Sequence, residues 1–72
     1  MTVALAVLAE IATVDLRPSS AIALARFDPE AGVAIFMFHD SPTFYYYPCS
    51  PGQWAGYMGG ESAGASFHEY FA

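Results

Sequence analysis

His39, His68, Cys49, the serines and seven carboxylates are the side chains with which this chain could move protons or attack a substrate. Their spacing builds no site of a known kind. The chain has no His-x-x-x-His pair, no paired cysteines and no Gly-x-Ser-x-Gly elbow, the patterns that put two metal ligands on one helix face or a nucleophile on a strained turn. His39 and Asp40 are neighbours, and neighbours on a short loop seldom face one another as base and orienter, so they read as a solvated turn. Asp28 before Pro29 is likewise a turn former. Cys49 has no cationic neighbour in sequence to stabilise a thiolate and reads as an inert thiol. The chain is therefore expected to be no enzyme, with no catalytic residue, metal or cofactor.

Binding chemistry is better supplied. Phe44, Tyr45, Tyr46 and Tyr47 are consecutive aromatics, and aromatic faces stack on bases whatever the base. Strand alternation sends Phe44 and Tyr46 to one side and Tyr45 and Tyr47 to the other, so one pair lines a surface while the other fills a core or an interface. Arg17 and Arg26 are the only fixed cations, and a guanidinium fork is an economical way for an acidic protein to hold phosphate. The small-residue run Gly59-Gly60-Glu61-Ser62-Ala63-Gly64 carries no Lys or Arg, but its amides stand just before a predicted helix, whose N-terminus attracts anions.

Three elements must position these groups. Ala21 to Phe27 reads as a strand ending in the turn Asp28-Pro29-Glu30-Ala31-Gly32, with proline early and glycine late. Val33 to Phe38 returns antiparallel. It is apolar on both faces and so reads as a central strand covered on both sides. His39 to Pro42 turns again, and Thr43 to Tyr47 is the third strand of a meander. Pro51 suits the first turn of a helix capped by Ser50, which runs through Trp54 and Met58 to Gly59-Gly60. Ser62 to Phe71 is a second, shorter turn-and-helix element. Val3 to Val14 alternates alanine with larger aliphatics; a helix is favoured, with an edge strand that pairs with another subunit as the alternative. The expected class is α+β: a small antiparallel three-stranded meander, one or two short C-terminal helices, and an N-terminal helix or pairing strand.

Composition bounds the partners. Seventy-two residues make one domain, and a chain so short buries only roughly 60% of its unfolded surface. It is 56% hydrophobic and only 12% charged, against about 25% charged in an ordinary soluble domain. Excess apolar surface of this kind is expected to be buried against copies of the same chain. A net charge of −5 with two arginines offers too few cationic contacts for long DNA or RNA, or for an anionic membrane surface. One cysteine forms no internal disulfide, which fits a cytoplasmic setting. Met1 to Leu8 is apolar, but it lacks a basic n-region and meets Glu10 well before the roughly 20 residues of a membrane span.

Ser19-Ser20-Ala21-Ile22, Phe27-Asp28-Pro29, Tyr45 with Tyr47, and Ser62-Ala63-Gly64-Ala65-Ser66-Phe67 occur in an order and spacing that resembles the KTSC domain. That small module is appended to some lysyl-tRNA synthetases and also occurs alone in bacteria and phages. The resemblance covers residues 19–71 of a single domain, 1–72. The chain differs at His68, where the family has Asn, at Phe71, where it has an aliphatic residue, and at Ala72, where it continues into an Arg. The family's tyrosine spacing falls on Tyr45 and Tyr47, and the resemblance implies that Ser20, Ser62 and His68 lie near one another. The expected site is then Arg17, Ser20, Arg26, Tyr45, Tyr47, Ser62, Gly64, Phe67 and His68 around a nucleotide-like small molecule, with pockets at the contacts of a homo-oligomer. Small phage proteins that sequester signalling nucleotides illustrate the use of such a binder. The alternatives are a protein- or RNA-docking module similar to the appended synthetase domain and, third, a small-nucleotide hydrolase.

Overall fold

The computed structural model describes residues 12–72. Three strands, β1 (Ile22–Asp28), β2 (Val33–Phe38) and β3 (Phe44–Pro48), precede two helices, α1 (Pro51–Gly59) and α2 (Ala63–Tyr70). The strands pair antiparallel in the order β1-β2-β3, and the unit is α+β, a meander followed by two short helices, as expected from sequence.

Each connection has a local cause. Asp28 Oδ1 accepts the N–H groups of Glu30 at 3.1 Å and Ala31 at 3.2 Å, and Gly32 takes φ +69°, a left-handed conformation that glycine adopts without steric cost. Ser19 Oγ accepts from Ala21 and Ile22 N–H at 3.2 and 3.0 Å, bracing the entry to β1. Ser50 Oγ caps α1 through Gln53 N–H at 3.0 Å, and Ser62 Oγ caps α2 through Ala65 N–H at 3.2 Å, each satisfying a donor that the first helical turn leaves unpaired. Helices of nine and eight residues are too short to stand alone and depend on packing.

That packing lies on one face of the sheet. An irregularity between Ile22 and Leu24 turns Ile22, Ala25 and Phe27 to the same side, where they join Ala34 and Phe36 against Trp54, Tyr57 and Phe67. Phe36 is fully buried and meets Tyr47, Tyr57, Phe67 and Phe71 edge-on, with centroids 4.9 to 5.8 Å apart, the arrangement that ring quadrupoles favour. Trp54 stacks on Phe27 at 5.6 Å. On the opposite face Val33, Ile35 and Met37 are half-buried, and neither helix packs there. The expectation that β2 is covered on both sides therefore holds, among the described residues, for one side only.

The end of the N-terminal segment joins the sheet. Asp15 N–H donates to Ala25 O at 2.9 Å and Phe27 N–H to Thr13 O at 2.8 Å, which sets Val14 against Arg26 in an antiparallel bridge. The helix expected over Val3 to Val14 does not extend to this end, where backbone pairing with β1 replaces it; residues 3–11 of that expectation lie outside the described residues.

Candidate ligand surface

The expected site residues fall into separate places. Arg17 is engaged inside the fold. Its Nε donates to Asp15 Oδ1 at 2.8 Å, Nη2 to Asp15 Oδ2 at 2.9 Å and to Tyr57 O at 3.3 Å, and Nη1 to Gly60 O. The guanidinium carbon also lies 5.1 Å from the centre of the Tyr57 ring. A planar fork has five N–H donors, and four are spent here, so Arg17 ties the segment before the sheet to α1 and has little left for a phosphate.

The same network shifts its members' acidities. Burial alone would raise the Asp15 carboxyl, but hydrogen bonds from Arg17 and Tyr57 outweigh it and hold Asp15 below the ordinary 3.8. Burial, reinforced by the hydrogen bond to Asp15, pushes the Tyr57 phenol well above its usual range. Burial likewise raises the Cys49 thiol, which points to Ser50 O at 3.4 Å. A thiol kept protonated is a poor nucleophile, in line with the inert reading.

Tyr47 and Phe67 belong to the aromatic core, with their rings 5.6 Å apart, and Phe67 is buried. Tyr45 lies at the rim of the same face, edge-on to Phe38 at 5.6 Å. Ser62 is spent as the α2 cap; Gly64 follows it in the first turn, and His68 is exposed on α2 beside Phe67. Ser20 lines a shallow concavity of about 470 Å³ with Ala21, Phe38, His39 and Asp40, where His39 Nε2 also meets Ser19 O at 2.9 Å. No described concavity brings Ser20, Ser62 and His68 together.

Arg26 is different. It projects from the open face and makes no ion pair or side-chain hydrogen bond among the described residues. The register sets Arg26 opposite Ile35 and Ile35 opposite Tyr46, so the three form one row across the sheet. Leu24, Met37 and Phe44 form the next row. Tyr46 is 64% exposed and Phe44 49%. Arg26 also lines a concavity of about 410 Å³ with Thr13, Phe27, Asp28, Pro29 and Ile35. Of the two alternating aromatic pairs, Phe44 and Tyr46 thus stand on the open face, while Tyr47 and the more exposed Tyr45 stand on the side of the helices.

Strands lie about 4.8 Å apart, so the guanidinium root and the tyrosine root are separated by roughly 9.5 Å. An apolar floor of Ile35 lies between a fixed cation and an exposed π-face, and this suits a molecule that is flat and apolar at one end and anionic at the other. Sequence alternation alone could have named Tyr46 as the partner of Arg26, had Phe36 been assigned to the core side of β2. Comparison of the chain with family models, with curated proteins and with solved structures gave no match.

Proposed function

We propose that this chain is a small non-enzymatic binding protein, assembled from identical subunits, that holds a nucleotide-like ligand on the open face of its sheet. The supporting observation is the row Arg26, Ile35, Tyr46. The base stacks on Tyr46, the sugar lies over Ile35, and the phosphate meets the Arg26 fork. Relative to the site expected from sequence, Arg26 is retained, Tyr46 takes the role given to Tyr45 or Tyr47, and Arg17 acts as a structural brace. No bond of the ligand is made or broken in this reading, which describes sequestration.

The apolar character of the same face, with Leu24, Val33, Ile35, Met37 and Phe44, favours a second reading as a protein-docking module. Native mass spectrometry of the chain mixed with adenosine and guanosine, and with their mono- and diphosphates, separates the two. Retention of the phosphorylated compounds over the bare nucleosides is the expected result. Equal failure of all six to be retained would leave protein docking as the better reading.

A further inference from the structure

The outer edge of β3 is unpaired among the described residues, since the sheet ends there and the N-terminal segment occupies the far edge at β1. Its backbone polarity follows from the hairpin. Cys49 N–H donates to Gly32 O at 2.8 Å, and hydrogen-bonded pairs alternate along an antiparallel ladder, so Tyr47 and Tyr45 also turn their polar groups toward β2. Phe44 and Tyr46 therefore direct N–H and C=O outward, and Pro48 directs a C=O outward with no N–H to lose. Edge strands in soluble proteins are normally blunted by charge, by an early proline or by a covering loop. Here residues 41–50 contain no charged side chain, and the strand itself is four aromatics ended by Pro48.

We infer that β3 pairs with β3 of a second copy of this chain, antiparallel about a two-fold axis at Tyr46, making one continuous six-stranded sheet. This register satisfies every outward donor of the strand. Tyr46 of each copy exchanges both bonds with its counterpart, and each Phe44 N–H meets the opposite Pro48 C=O, four bonds in all. Centring the axis on Tyr45 also forms four bonds, through two Phe44–Tyr46 pairs, but it sets Pro48 against Pro42, beyond the strand, so only the Tyr46 register pairs all five residues Phe44–Pro48. The side chains are self-complementary in the same register: Tyr46 faces Tyr46 and Phe44 faces Pro48 on the open face, and Tyr45 faces Tyr47 on the helix face, the aromatic cross-strand pairing that stabilises sheets.

Charge selects a second copy as the occupant. Each chain carries −5, and the uncharged stretch 41–50 is where two such chains approach without placing like charges opposite one another. The pairing deepens the proposed function and rests on it for its ligand consequence. The row becomes Arg26, Ile35, Tyr46 and then the same three in reverse, so each ligand's base has a second tyrosine from the other subunit beside it, and the site is incomplete in a lone chain.

Light scattering of the full chain without ligand, at tens of micromolar, tests the pairing separately from ligand binding. The expected mass is an even multiple of 7.7 kDa. Of the backbone groups, Tyr46→Pro removes only an outward N–H, at a position where a strand tolerates proline, and it is expected to halve that mass with the far-ultraviolet dichroism retained. Tyr46→Lys, which keeps the N–H but sets two like charges opposite, is expected to do the same. In the unmodified chain, hydrogen exchange at the Tyr46 and Phe44 amides is expected to slow as concentration rises. A monomeric unmodified chain, an undiminished mass in a folded variant, or exchange at those amides that does not change with concentration overturns the pairing. A monomer that still holds a phosphorylated nucleotide through Arg26 would refute the pairing and leave the ligand reading standing.

Discussion

The Tyr57 hydroxyl donates to Asp15 Oδ2 at 2.7 Å and fastens α1 to the segment that runs into the sheet. Tyr57 is wholly buried, so Tyr57→Phe deletes this bond without opening a cavity, and Asp15 keeps its bonds from Arg17. A hydrogen bond to a charged acceptor contributes about 1.5 to 3 kcal/mol. Urea unfolding of the variant is expected to show a loss in that range; a loss within error of zero would mean that the network is ornamental.

The two ends of that bond give stability a pH window. Asp15 is held below its ordinary value by its Arg17 and Tyr57 bonds, so its contribution is full above the unfolded carboxylate value of about 4 and is lost as pH falls through the lower folded value. Tyr57 is raised, chiefly by burial, so its contribution is full below the unfolded phenol value of about 10 and is lost as pH rises beyond it. Unfolding free energy is expected to fall on both sides. Tyr57→Phe should flatten the alkaline fall, and an unaltered alkaline slope in that variant would assign the fall to other groups.

Gly60 is fixed by close approach. A Cβ built there collides with Ser66 Oγ and lies 3.1 Å from Ser66 Cβ, while the Gly60 carbonyl accepts from Arg17. Gly60→Ala is expected to cost about 1 to 3 kcal/mol, the usual penalty of overpacking. Adding Ser66→Ala should recover part of it by removing the colliding oxygen. Thermal unfolding of the single and double variants measures the recovery, and an additive loss would show that the collision is not the cause.

Asp28 follows Arg26 by two residues on the same side of β1 and lines the same concavity. Its Oδ1 is engaged by the Glu30 and Ala31 amides, a role that asparagine can also fill. Asp28→Asn therefore keeps the turn and removes a negative charge from beside the proposed phosphate position. Binding of guanosine monophosphate is expected to tighten by about 0.2 to 1 kcal/mol, at most roughly fivefold. Weaker binding in a normally folded variant would place the phosphate elsewhere.

The fold was more legible than the site. Asp28-Pro29 to Gly32, Ser50 with Pro51, and Ser62 mark their turn and helix starts through local chemistry, and the strands and helices stand within a residue or two of those signals. The sidedness of the sheet was not local. Val33 to Phe38 is apolar on both faces, so nothing within the strand says which face takes the helices, and without that choice Tyr45 and Tyr47 cannot be told from Phe44 and Tyr46. The bracing contacts of Arg17 were illegible for a related reason. Its partners Tyr57 and Gly60 lie about forty residues away in the chain, and an arginine spent on distant carbonyls looks identical in sequence to a free one.

Calorimetric titration of Arg26→Ala with guanosine and adenosine monophosphates tests the central claim most directly. Losing a charge-assisted contact of about 1.5 to 3 kcal/mol should weaken binding about 10- to 150-fold, with the unfolding transition unchanged because Arg26 makes no side-chain bond among the described residues. Affinity in Arg26→Ala equal to that of the unmodified chain would contradict the account and remove the open face as an anion-binding surface.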